Sequence, residues 1–143
     1  MTSLFGENDI EDIPSNPFYV APGTYDCVVD DASINEKNDG SGDRGFSIRY
    51  RITEDGDYYN NTVQEWKDIV DAPRDELDSN QKRKQSFLIQ RLEQLGVPRS
   101  EMNALGEDPT VLVGITGTVT VKETQDKDDP DKTYTNVVSF KVD

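Results

Sequence analysis

The sequence predicts an all-β domain with one helix, and three observations carry that expectation. Strict apolar–polar alternation runs from Phe46 to Thr53, an Asp-Gly turn follows at Glu54-Asp55-Gly56-Asp57, and one stretch of helical periodicity lies between Asp78 and Gly96. A parallel α/β layout needs a helix between most strands, and only one long helix is visible.

The elements follow in order. Pro22-Gly23 is a turn that launches the first strand, where Tyr25, Cys27 and Val29 share one parity and Val28, Ala32 and Ile34 the other. The run ends in the turn-rich segment Asn38 to Asp43. The second strand is the clearest, with Phe46, Ile48, Tyr50 and Ile52 on one face and Ser47, Arg49, Arg51 and Thr53 on the other. The Asp-Gly turn then pairs it with a third, antiparallel strand from Tyr58 to about Trp66. Asp68 to Asp78, with five acids, one Arg and Pro73, reads as a connecting loop.

The helix is capped by Asp78 or Ser79, repeats Phe87, Leu88, Leu92 and Leu95 at helical spacing, and stops at Gly96, which suits the left-handed position after a helix end. Ser100 to Leu105 adds a short helical turn closed by Gly106. A fourth strand spans Val111 to Val121, with Val113, Ile115, Val119 and Val121 inward, Thr116, Thr118 and Thr120 outward, and Gly117 marking a bend or bulge on the inward parity. After a charged loop, Asp126 to Lys132, the last strand runs from Tyr134 to Val142, with Tyr134, Val138, Phe140 and Val142 on one face. Three strands, a helix and two strands is the order of a five-stranded OB-fold barrel, whose helix between strands three and four plugs one end.

That barrel is expected to occupy residues 18–143, behind a flexible acidic arm of residues 1–17. The arm carries Glu7, Asp9, Glu11 and Asp12 with no Lys or Arg, and its scattered Leu4, Phe5, Ile10 and Ile13 offer a docking segment for replication or recombination proteins.

Composition narrows the chemistry. The 143 residues hold no His and one Cys, Cys27, which excludes a zinc site, a Ser/His or Cys/His nucleophile pair and a disulfide framework. Carboxylates alone remain, and they lie mostly on loops. Asp39 and Asp43, or Asp126, Asp128, Asp129 and Asp131, lack the spacing of an EF-hand loop, so no metal, cofactor or enzyme activity is expected. No apolar run approaches the roughly 18 residues of a membrane span, and the N-terminus lacks a signal-peptide pattern, so a cytoplasmic protein without a membrane partner is expected.

On an OB barrel the ligand surface is the outer face of the second and third strands. Arg44 stands at the entrance of the second strand, Arg49 and Arg51 point outward from it, and the third strand adds Tyr58, Tyr59, Trp66 and Lys67. Aromatic rings stack on bases while Arg and Lys follow phosphates, so these seven residues are the candidate site for a nucleic-acid single strand. The formal charge of −14 opposes a polyanion. The cations are grouped, however: Arg44 to Thr53 has three Arg and no acid, and Gln81 to Arg99 has five basic residues against one acid.

Four stretches carry a family resemblance: Ala21 to Val29, Phe46 to Ile52, Leu92 to Pro98, and Val113 to Val119 with Tyr134 opening the last strand. Together they resemble a family of bacteriophage single-stranded-DNA-binding proteins, over roughly Phe18 to Val142. The resemblance implies an OB fold and binding of single-stranded DNA without sequence preference, in phage replication or recombination. Two departures remove positive charge: Ile115 stands where family members commonly carry Lys or Arg, and Tyr59-Asn60-Asn61-Thr62 replaces a Gly-Lys/Arg step. The rival reading is an acidic protein-interaction module that imitates nucleic acid or serves as a phage accessory protein; a small virion component is a third.

Overall fold

The computed structural model describes residues 3–13, 15–129 and 133–143. Five strands, β1 (Gly23–Glu36), β2 (Arg44–Ile52), β3 (Thr62–Ile69), β4 (Thr116–Gln125) and β5 (Thr133–Val142), form one antiparallel sheet in the order β3-β2-β1-β4-β5. The protein is mostly β, as expected, but two α-helices rather than one separate β3 from β4: α1 (Ser79–Gln94) and α2 (Arg99–Met102). Short 3-10 turns follow at Asn103–Gly106 and Pro109–Leu112. Among the described residues no helix is long and apolar enough to cross a membrane. Of the expected loop from Asp126 to Lys132, Pro130 to Lys132 lie outside the described residues, as do Met1, Thr2 and Pro14.

Alternation builds β2 as expected: Phe46, Ile48, Tyr50 and Ile52 are buried, while Arg49 and Arg51 keep contact with solvent. The mixed parity of β1 has a specific cause. Its register against β2 slips between Val29 and Asp31, which leaves Asp30 as the extra residue of a β-bulge. Cys27 and Val29 face the core before the bulge, and Ala32 faces it afterwards.

Several expectations are corrected. β3 begins at Thr62, because a wider turn holds Tyr58 and Tyr59; Asn61 N–H donates to the Tyr58 carbonyl at 2.9 Å and Asn60 takes a φ of 68°. The strand also runs on to Ile69, into the segment read as a loop. β4 begins at Thr116 rather than Val111, since Asp108 caps a 3-10 turn over Pro109–Leu112 that leaves Val111 and Val113 exposed. Gly117 sits in regular register, opposite Cys27 and Val142; its lack of a side chain is needed because a Cβ there would overlap the Lys141 carbonyl oxygen. The slip in this hairpin lies instead at Val138, so Val137 and Phe140 enter the core while Tyr134, Val138 and Val142 stay exposed.

α1 starts on a capping box, with the Asp78 carboxylate accepting from Gln81 N–H and the Gln81 side chain accepting from Asp78 N–H. It ends before Gly96, at φ 86°. Leu92 and Leu95 reach the core, but Phe87 is exposed. The apolar stripe includes an Arg: Arg91 is buried and donates through Nε to Glu65 of β3 at 2.9 Å and through Nη2 to the Val137 carbonyl of β5 at 3.3 Å. Tyr50 donates to the second Glu65 oxygen, and Gln94, itself bonded by Arg91, accepts from Phe140 N–H at 3.0 Å. Among the described residues no ladder joins the edge strands β3 and β5, and α1 packs against both. The buried network therefore ties the helix to the two edges of the sheet. Burial and the neighbouring Glu65 carboxylate push the Tyr50 hydroxyl far above its ordinary range, so it stays a donor.

Candidate nucleic-acid interface

The outward parity of β2 and β3 places Gly45, Ser47, Arg49 and Arg51 beside Thr62, Gln64, Trp66 and Asp68. Trp66 lies opposite Ser47, and its indole extends diagonally over Gly45. A Cβ at Gly45 would overlap the indole at Cε2, Cζ2 and Nε1, so this glycine is a seat for the ring. Trp66 nevertheless remains 41% exposed. Its Nε1–H donates to Asp68 at 3.2 Å, which fixes the ring's orientation. Below it, Gln64 donates to the Ser47 hydroxyl at 2.7 Å.

Asp68 anchors this end of the face. Its carboxylate is 3.0 Å from Lys37 Nζ and 3.1 Å from Lys84 Nζ, so it links the β1–β2 loop, β3 and α1. Burial alone would push its pKa up, but the bonds from Lys37, Lys84 and Trp66 prevail and lower it to about 2.

The two arginines converge on the bulge. Arg49 Nε donates to Asp30 Oδ1 at 2.7 Å, Arg51 Nε stands 4.0 Å from Asp30 Oδ2, and Arg51 Nη1 donates to Asn60 at 3.2 Å. The hydrogen bond to Asp30 raises the pKa of Arg49 further above its ordinary value. Arg49 and Arg51 remain 43% and 39% exposed along their side chains. A single carboxylate thus bridges two half-exposed guanidinium groups on the face that also carries an open indole. The chemistry on offer is a planar apolar ring for stacking and two forked cationic donors for an oxyanion.

Of the seven expected residues, the sheet places Arg49, Arg51 and Trp66 on one face, with the arginines turned toward Asp30 of β1 and the indole toward Gly45. Lys67 lies on the opposite face of β3, since it pairs with inward-facing Phe46; its Nζ is 3.8 Å from Glu65 and 5.8 Å from the centroid of the Phe87 ring. Arg44 shares the parity of Phe46 and bridges Asp71 at 3.3 Å, away from the Trp66 face. Tyr58 packs edge-on against Tyr25 and Tyr19, with centroids 5.7 and 6.4 Å away, and belongs to the margin of the core. Tyr59 is exposed on the β2–β3 turn. Sequence reasoning missed Asp30, Gly45, Gln64 and Asp68. The signal for Asp30 was present in the broken alternation of β1.

Among the described residues no three His, Cys, Asp or Glu side chains gather to hold a metal ion. Burial, then Asp143 and Asp26, push the Cys27 thiol up to about 12, which makes it a poor nucleophile. No protein-family model and no curated protein matches this chain.

Proposed function

We propose that the protein is an OB-like barrel of the phage single-stranded-DNA-binding type, which coats single strands without sequence preference during replication or recombination. The observation that supports this most is the exposed indole of Trp66, seated on Gly45 on the same outer face of β2 and β3 that carries Arg49 and Arg51. A base stacks on the indole, and a backbone phosphate takes the place of the Asp30 carboxylate between the two guanidinium groups. Stacking contributes about 1–3 kcal/mol per base and is tolerant of sequence, because every base has a π face. The charge of −14 and the occupied arginines make binding weak, with a salt dependence limited to the few phosphates that the arginines neutralise.

The test is polarisation of a labelled oligothymidylate over a salt series, followed in parallel through the emission of the chain's one Trp. Binding at low salt should quench Trp66 and weaken with a log–log slope of about 0.7 per phosphate neutralised. Absence of binding to any single strand at low salt would remove the proposal.

One observation favours a second reading. Arg44, Arg49 and Arg51 each already face a carboxylate. A net-acidic protein whose candidate-site arginines are already satisfied internally suits a basic protein partner, as in a nucleic-acid mimic or phage accessory module. A basic partner retained after nuclease treatment, with no response to oligonucleotide, would select this reading.

A further inference from the structure

A second surface is independent of the Trp66 face. The far side of α1 borders a groove of about 1220 Å³, at the end of the sheet where β2 starts. Ile34, Phe46, Ile69, Leu88, Leu92 and Met102 supply its apolar wall, and Arg44, Arg74 and Arg99 its cations. The groove exceeds the roughly 300–1,000 Å³ of small-molecule pockets, a size that suits a polypeptide segment. Arg74 donates to Gln85 at 2.9 Å and pairs with no carboxylate among the described residues, while the pairs Arg44–Asp71 and Arg99–Glu93 are solvent-exposed and easily exchanged.

The chain carries a segment of complementary character. The N-terminal arm presents Leu4, 94% exposed, together with exposed Phe5, Ile10 and Ile13. Between and beside them stand Glu7, Asp9, Glu11 and Asp12 without a single Lys or Arg. Asp9 caps a 3-10 turn at Ile10–Asp12 by accepting from Glu11 N–H, so that part of the arm is already shaped. An anionic segment with four uncovered apolar side chains thus faces solvent on the same molecule as an unfilled apolar groove edged with arginine.

The arm cannot seat all four of its apolar residues in its own groove at once: Leu4, Phe5 and Ile10 stand nine to fifteen residues before Tyr19 and are within reach of the groove, but Ile13 is not. The arm leaves the body at Tyr19, whose carbonyl accepts from Asn61 at 3.1 Å, beside Ile52, whose N–H donates to the Asn61 carbonyl at 2.9 Å. That is the end of β2, whereas Arg44 and Phe46 of the groove are at its start. Arg44 to Ile52 spans about 26 Å at ~3.3 Å per residue. Ile13 precedes Tyr19 by six residues, which reach at most about 22 Å when fully stretched. A neighbouring molecule has no such limit.

We infer that the groove beside α1 is the seat for the acidic N-terminal arm of a second copy of this chain, in a head-to-tail contact. The same two surfaces repeat from molecule to molecule, so the contact either closes a small ring or extends as a row.

The experiment is sedimentation velocity of the full chain from micromolar to millimolar concentration, beside two variants at exposed positions. One carries Leu4→Asp, Phe5→Asp and Ile10→Asp; the other carries Arg74→Glu and Arg99→Glu. The full chain should self-associate, and each variant alone should do so at least about ten-fold more weakly, with an unchanged circular-dichroism spectrum. An equimolar mixture of the two variants should regain association, because it still contains one intact arm and one intact groove. Three results would overturn the inference: a full chain monomeric throughout, self-association indifferent to both variants, or a mixture no more associated than its parts. The first would assign the groove to a different partner, and the second would assign the self-contact to another surface.

Discussion

Replacing Asp30 by Asn should strengthen binding to single-stranded DNA, although it removes an ion pair from the protein. Asp30 holds Arg49 at 2.7 Å and stands 4.0 Å from Arg51, with both arginine side chains about two-fifths exposed. Solvent screening at that exposure leaves each pair worth about 0.2–1 kcal/mol, so folding loses little. A phosphate arriving between the guanidinium groups must first displace the carboxylate and then tolerate its negative charge nearby. Relief of both costs amounts to about 0.7–1.4 kcal/mol, a gain of roughly 3- to 10-fold in affinity at low salt. The log–log salt slope should steepen by about 0.7 if the freed pair engages one further phosphate. Polarisation of a labelled oligothymidylate across a salt series measures both quantities, and thermal unfolding checks that the bulge survives. Equal or weaker binding by a folded Asp30→Asn protein would refute the idea that this carboxylate competes with phosphate.

Other expectations follow from the same geometry. Trp66→Ala should weaken oligonucleotide binding by about 1–3 kcal/mol in the polarisation assay, and Gly45→Ala should weaken it too by forcing the indole off its seat. Lys67→Ala should leave binding unchanged within about two-fold, because Lys67 lies on the other face of β3. Arg91→Ala should cost about 3–5 kcal/mol in urea unfolding, since it strands the buried Glu65 carboxylate. Asp68 sits at about 2 in the folded protein against an ordinary 3.8, so its contribution to stability is present above about pH 4 and is lost as pH falls toward 2. Asp68→Asn should flatten that part of the acid-unfolding profile measured by circular dichroism.

The fold was legible where burial alone decides the pattern. β2 has a filled core on one side and solvent on the other, so its four inward residues are apolar without exception. β1 and β5 resisted reading because each carries one extra residue, Asp30 and Val138, and a single insertion exchanges the two faces of everything beyond it. The switch from Cys27 and Val29 to Ala32 and Ile34 was itself the mark of a bulge. Arg91 was hidden for a different reason. It stands in the stripe of Leu88, Leu92 and Leu95, where helical spacing predicts an apolar residue, and only the equally misplaced Glu65 on the inward parity of β3 accounts for it. At the candidate site, alternation found the outward arginines. The pairing of Arg49 and Arg51 with Asp30, and the seating of Trp66 on Gly45, depend on contacts between neighbouring strands that one-dimensional spacing does not encode.

The most direct measurement follows the single indole N–H of Trp66, with the side-chain N–H signals of Arg49 and Arg51, in heteronuclear NMR spectra during titration with a short oligothymidylate at low salt. The account predicts that these signals shift together and saturate with the same midpoint, while those of Lys67 and Arg91 stay in place. Unmoved indole and guanidinium signals, or shifts confined to the groove beside α1, would contradict it.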